Sequence, residues 1–308
     1  MKKTNSRLYL LLILVPLILF AGIIGYYFLG AAATGGRPVA ITATPTPVPS
    51  PTPLPTPTPL PTPTPFLEHD ITLMAVGDNL MHMGIVASGR QEDDTYDYSM
   101  LFDGIRPFLD TADVKIINQE TILGGNSRGF SGFPYFNSPT EVGDAIADAG
   151  FNVVLHASNH TADQKLDGLL YCAQFWEEQH PDILVTGIHE DISQADDIPL
   201  LTVEDVTFAI LNYTYGANTE TLPLNLLGHL NLLCAVNEQT GQMDFTTLNP
   251  QVLEDISRAK ELADIVIVCP HWGTEYSSKA SGYQKKWAEA MTEAGADVII
   301  GTHPHVVE

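Results

Sequence analysis

The chain has 308 residues, with 37 acidic residues against 14 basic ones and a formal net charge of −23. That acid excess weighs against nucleic acid or an anionic membrane surface as a partner of the folded part. The three cysteines, Cys172, Cys234 and Cys269, form no CxxC and no Cys–His spacing, which argues against a structural zinc site. An oxidising compartment would leave room for one disulfide among them, and Cys269, at the end of an apolar run, reads as a small buried hydrophobe.

The first 65 residues do not read as globular. From Leu8 to Gly30 the segment LYLLLILVPLILFAGIIGYYFLG carries no charge, and its length suits a hydrocarbon core of about 30 Å with some tilt. Pro16 inside it is tolerated in a membrane helix. Lys2, Lys3 and Arg7 precede the span, so residues 1–7 are expected in the cytoplasm and the remainder outside. A cleaved signal peptide, with Ala31-Ala32-Ala33 as the cleavage site, is the competing reading. Its apolar region is usually about 7–15 residues, shorter than the stretch here, which favours an uncleaved anchor.

Residues 31–65 form a linker. Most of it is a Thr-Pro repeat, TATPTPVPSPTPLPTPTPLPTPTP, a composition that prefers extended polyproline II and supplies no core. At about 3.1 Å per residue the repeat reaches roughly 70 Å, the length of a stalk. All 37 acidic residues follow this repeat.

From Phe66 onward, strands and helices alternate. Apolar, β-branched runs predict strands over 71–76, 114–118, 151–155, 183–186, 206–212, 264–269 and 297–300. Helices are expected over 139–149, 164–179, 250–262 and 283–294, with Pro139-Thr140 and Asn249-Pro250 as start signals and Gly150 and Gly295 as stops. The stretch 217–247 is less regular and reads as a hairpin or an insertion. The last strand is followed by only eight residues, so a further C-terminal piece of the domain is expected.

Five of the strands end in polar clusters built from metal-ligating residue types. Asp78 lies in AVGDN, Glu120 in IINQE, Asn159 and His160 in HASNH, His271 in VCPHWG, and His303 and His305 in IIGTHPH. Open α/β sheets bind ligands beyond the carboxyl ends of their strands, so residues more than 220 positions apart can meet there. Asp, Glu, Asn and His are side chains that hold a hydrolytic metal centre. Alone, Gly77-Asp78 is an ordinary turn dipeptide, and Glu120 reads equally well as a surface residue. Strand alternation puts Asn118 on the same side as Glu120. His160, at a helix start, suits a general acid, and Asp163 and Asp167 are placed to orient it. In an extended segment His303 and His305 share a face, so both imidazoles can reach one centre. His69, His82, His156, His180, His189 and His229 read as incidental.

The motifs GDN at 77–79, NQE at 118–120, SNHTAD at 158–163, HWGTE at 271–275 and GTHPH at 301–305 resemble, in this order, the capsule-synthesis CapA family, also called the poly-γ-glutamate synthesis PgsA family. The resemblance covers residues 71–308. It implies an α/β fold of the calcineurin-like metallophosphoesterase kind, a β-sandwich flanked by helices. It further implies Asp78, Glu120, Asn159, His271, His303 and His305 as ligands of one or two divalent ions (Mn, Fe or Zn), with His160 as acid. Two departures from the phosphoesterase pattern are visible. Asn79-Leu80 follows Asp78 where Asp-x-His is usual, and Glu120 replaces a bridging Asp.

The expectation is therefore a single-pass, membrane-anchored protein with an extracellular domain at residues 66–308, bearing a metal-dependent hydrolase site. Its expected partners are capsule synthase subunits, and its expected substrate an anionic polymer or phosphoester. The alternative is a non-catalytic capsule assembly or export component on the same fold.

Overall fold

The structure, a computed structural model, describes residues 70–308. The expected cytoplasmic tail (1–7), transmembrane helix (8–30) and Pro/Thr-rich linker (31–65) lie outside the described residues. Among the described residues no helix is long and apolar enough to cross a membrane.

The apolar runs become two four-stranded sheets. The first is all parallel, in the order β1 (Leu73–Asp78), β2 (Val114–Asn118), β3 (Val153–Leu155) and β4 (Leu184–Thr186). The second holds β5 (Leu200–Val203), β6 (Val206–Thr214), β9 (Ile265–His271) and β10 (Val298–Ile299), in the order β10-β9-β6-β5. In it β6, β9 and β10 run parallel, and only the β5–β6 pair is antiparallel. The stretch 217–247 contributes a separate antiparallel pair, β7 (Cys234–Val236) and β8 (Met243–Leu248).

Alternation along the strands builds two cores. Val114, Ile116, Val153 and Leu155 from the first sheet form one buried cluster with Phe208, Ile210, Ile267 and Cys269 from the second. Full burial of such a side chain contributes about 1.5–3 kcal/mol. The alternate residues Ile117, Val154, Ala209, Leu211, Val266 and Val268 join a second cluster that contains the helices. Around the first sheet these are α3 (Glu141–Ala149) and α4 (Lys165–Gln179), which contribute Ile146, Leu169 and Trp176. The second sheet is served by α5 (Pro250–Leu262) and α6 (Gly282–Ala294), with Ile256, Ala259, Trp287 and Met291. Two short helices, α1 (Met83–Ser88) and α2 (Arg106–Leu109), precede β2.

Local chemistry sets the helix ends. The Asn249 side chain accepts from Gln251 N–H with Pro250 in the first turn, and Ser281 and Gln284 close a reciprocal capping box. Gly150 ends α3 at φ 94°, a conformation that favours glycine. All three cysteines are buried and free, so none of them pairs.

The structure corrects several expectations. β1 extends to Asp78, which is the last residue of the strand rather than part of a turn beyond it. β5, α1 and α2 were not expected. His303 and His305 do not lie in an extended segment: their φ values are 95° and 57°. The chain bends at each of them, so the shared-face argument does not apply.

Candidate metal centre

Because β1, β2 and β3 are parallel, as are β6, β9 and β10, each sheet delivers its strand ends on one side. Asp78 closes β1 and Glu120 lies two residues past β2. Asn159 follows β3, His271 closes β9, and residues 301–305 follow β10. Backbone bonds tie the last two segments together, with Trp272 N–H donating to Thr302 O at 3.1 Å and Thr302 N–H to Pro270 O at 3.1 Å. Gly301 is required for this approach, since a Cβ there would stand 2.6 Å from Trp272 Nε1.

Two trios of ligand atoms result. Glu120, His271 and His303 bring theirs within 4.8 Å of one another, and so do Asp78, Glu120 and His305. Glu120 belongs to both. His305 Nδ1 lies 2.9 Å from Asp78 Oδ2 and 3.8 Å from Glu120 Oε2. His271 Nε2 lies 3.9 Å from Glu120 Oε1 and 2.8 Å from Asn159 Oδ1. The His271 and His303 rings are 4.8 Å apart. The two histidines of the GTHPH segment thus serve different trios.

The donor set fits a divalent metal. Both oxygens of Glu120 and Nδ1 of His303 are buried without a hydrogen-bond partner, an arrangement that is costly unless something else satisfies them. Burial pushes the Glu120 carboxyl up to about 9, reinforced by the charges of Asp78, Glu275 and Asp163. Burial holds His303 down at about 4 and His271 well below the ordinary imidazole value. Imidazole and carboxyl groups, with no Lys or Arg in either trio, are consistent with a divalent metal site.

His160 stands beside this group. Its backbone N–H donates to Ser158 Oγ at 3.1 Å, and Ser158 Oγ donates to Glu120 O at 2.6 Å. Its Nδ1 is 2.8 Å from Asp163 Oδ2, with both side chains nearly buried. Asp163 Oδ2 also accepts from Phe136 N–H at 2.7 Å, and the Phe136 ring meets His160 edge-on at 4.6 Å. The contact to His160 comes from Asp163, not Asp167.

Several residues around the ligands escaped the sequence reading. Thr302 Oγ1 lies 2.8 Å from His271 Nδ1. Asn118, noted only for its side of the strand, donates from Nδ2 to Asp78 Oδ1 at 2.8 Å. Tyr215 packs against the His303 ring at 4.9 Å. Thr302 sits in the GTHPH motif and was readable as a neighbour of ligands; Tyr215 carried no signal. Of the histidines read as incidental, His156 is a core residue that accepts from Trp176 Nε1 at 2.7 Å.

Fold and site define an α/β domain whose strand ends gather a cluster of carboxylate and histidine side chains that could hold a metal ion. A family described as "Bacterial capsule synthesis protein PGA_cap" matches residues 72–308, and the chain belongs to that family. It is 29% identical over 247 residues to the capsule biosynthesis protein CapA of Bacillus anthracis, covering 77% of this chain and 55% of that protein. It is 32% identical over 165 residues to the PGA biosynthesis protein CapA of Bacillus subtilis (strain 168), covering 53% and 39%. An uncharacterized protein of Sinorhizobium fredii, y4uA, is 28% identical over 293 residues, covering 76% and 61%. The chain thus spans about half the length of the curated relatives it matches.

Proposed function

We propose that this protein is a membrane-anchored, extracellular component of capsule or envelope-polymer biosynthesis that carries a metal-dependent hydrolase site of metallophosphoesterase type. Membership of the capsule-synthesis family supports the process. The sandwich of two sheets between helices supports the fold type. The observation that carries the hydrolase reading is Glu120, a buried carboxylate with both oxygens unpartnered, shared by two trios of ligand atoms.

In this reading Asp78, Glu120 and His305 hold one side of the centre, and Glu120, His271, His303 and Asn159 the other. When bound, a divalent cation supplies Lewis acidity and acidifies water. His160 is the general acid. Its Nδ1 faces the Asp163 carboxylate, so a protonated ring keeps Nε2–H free to protonate a leaving group. Asp163, held by Phe136 N–H, is the positioning residue that fixes the ring. The anchor is residues 8–30, and capsule synthase subunits are its partners at the membrane.

The substrate is an anionic polymer, poly-γ-glutamate by kinship with the relatives, or a phosphoester. The test is turnover by the full chain, with added Mn, Fe or Zn, of poly-γ-glutamate and of a generic phosphodiester, beside His160→Gln. Metal-dependent turnover lost in the variant supports the enzyme. A folded, metal-loaded protein inactive on both substrates would favour the alternative, a non-catalytic assembly component, for which the missing Asp-x-His motif speaks.

A further inference from the structure

The Asn159 carboxamide has two ends of opposite character, and only one of them suits the centre. Its Oδ1 lies 2.8 Å from His271 Nε2, on the side where Glu120 and His303 converge. If the amide were turned over, its NH2 group would face that point and repel a cation. Asn159 is buried, so no bulk water selects between the two orientations. His271 Nε2 favours the oxygen only as a donor, a role that depends on its tautomer, whereas the other end has a partner of its own: Asn159 Nδ2 donates to Asn218 Oδ1 at 3.1 Å.

Asn218 comes from a part of the chain that carries no ligand. Just past β6, Tyr215 N–H donates to His271 O at 3.0 Å, and Gly216 and Ala217 are buried, which fixes the start of the segment. Asn218 itself is exposed, yet it adopts φ 52°. This left-handed conformation is tolerated by Asn better than by most side chains. The Tyr215 hydroxyl donates to the same Asn218 Oδ1 at 3.4 Å. With two donors directed at it, that atom is held as an acceptor, and the opposite end of Asn159 is held as an oxygen toward His271.

We propose that Asn218 is a positioning residue for the metal centre, keeping the Asn159 carboxamide with its oxygen toward the metal. The proposal rests on the metal-centre reading above. It assigns a role to the segment after β6, and it places that role on an acceptor atom rather than on a ligand.

The test is calorimetric titration of Mn2+ into the full chain, wild type beside Asn218→Gly, Asn218→Ala and Asn218→Asp, with thermal melts of the metal-free proteins. Asn218→Gly removes the acceptor while permitting the positive φ, and Asn218→Asp keeps an acceptor in place. The expected result is a loss of affinity of about 10–100-fold in the Gly and Ala variants. The Asp variant should stay within a few-fold of wild type, and the metal-free melting temperature of the Gly variant should be little changed. Wild-type affinity in Asn218→Gly, or an Asp variant as weak as Ala, would overturn the proposal while leaving the centre standing. A wild-type chain that binds no Mn2+ would overturn the metal-centre reading itself.

Discussion

His305 Nδ1 lies 2.9 Å from Asp78 Oδ2, although 227 positions separate the two residues in the chain. The contact joins the end of the first strand of one sheet to the segment after the last strand of the other. His303 N–H also reaches the Asp78 carboxylate, at 3.2 Å from Oδ2.

Because His303 and His305 belong to different trios, their removal should have separable effects. His303→Ala should weaken metal held with His271, and His305→Ala metal held with Asp78, each leaving the other side bound. Elemental analysis of both variants should find a reduced but nonzero metal content. Complete loss in both would mean that the two trios act as one indivisible site.

His160→Gln should lower kcat by about 10²–10⁴-fold, the usual contribution of a general acid, with metal content unchanged. Asp163→Asn should lower it in the same direction by less, since the ring keeps its Nε2 but loses its orienting carboxylate. Steady-state kinetics with elemental analysis of the same samples would check this. Loss of metal in His160→Gln would instead assign His160 to the centre.

The buried His156 makes the fold acid-sensitive. Burial depresses its pKa to about 3, against about 6.5 for the free side chain. The unfolded chain therefore binds more protons between these values. Stability is unaffected by this group above pH 6.5 and falls as pH drops from 6.5 towards 3. His156→Gln, which keeps an acceptor for Trp176 Nε1, should flatten the pH dependence of the denaturation midpoint across that window, at some packing cost at neutral pH. An unchanged slope would show that other groups govern acid unfolding.

Gly301→Ala should destabilise the domain by about 1–3 kcal/mol, the usual cost of overpacking. The added methyl would collide with Trp272 Nε1, and the Trp272 side chain is itself buried in the core. Because Gly301 sits two residues before His303, metal affinity should fall with stability. Thermal melts with and without Mn2+ would check both.

Much of the site was legible because parallel strands end on one side, so a polar cluster after each apolar run marks a common edge. Asp78, Glu120, Asn159, His271, His303 and His305 all followed that rule. The helix after Asn249-Pro250 was legible to the residue, as 250–262, whereas the one read over 139–149 begins two residues later, at Glu141. By contrast α1 has only six residues and no side-chain cap at His82, so nothing marks its start. β5 is four residues with an exposed, partly polar pattern. Asn218 lies in an irregular segment, and its value depends on a contact across 59 positions that no periodicity encodes. The extended reading of His303 and His305 failed because both residues take positive φ, which the flanking residue types do not announce.

Glu120 belongs to both trios, and its role as the ligand shared by two halves of a metal centre is tested most directly by the metal content of the full chain beside Glu120→Ala. After incubation with Mn, Fe or Zn and removal of free ions, the wild type should retain one or two ions per chain. The variant should retain essentially none, since neither trio survives without its shared ligand. A wild type that retains no metal, or a folded Glu120→Ala protein that retains the wild-type amount, would contradict it.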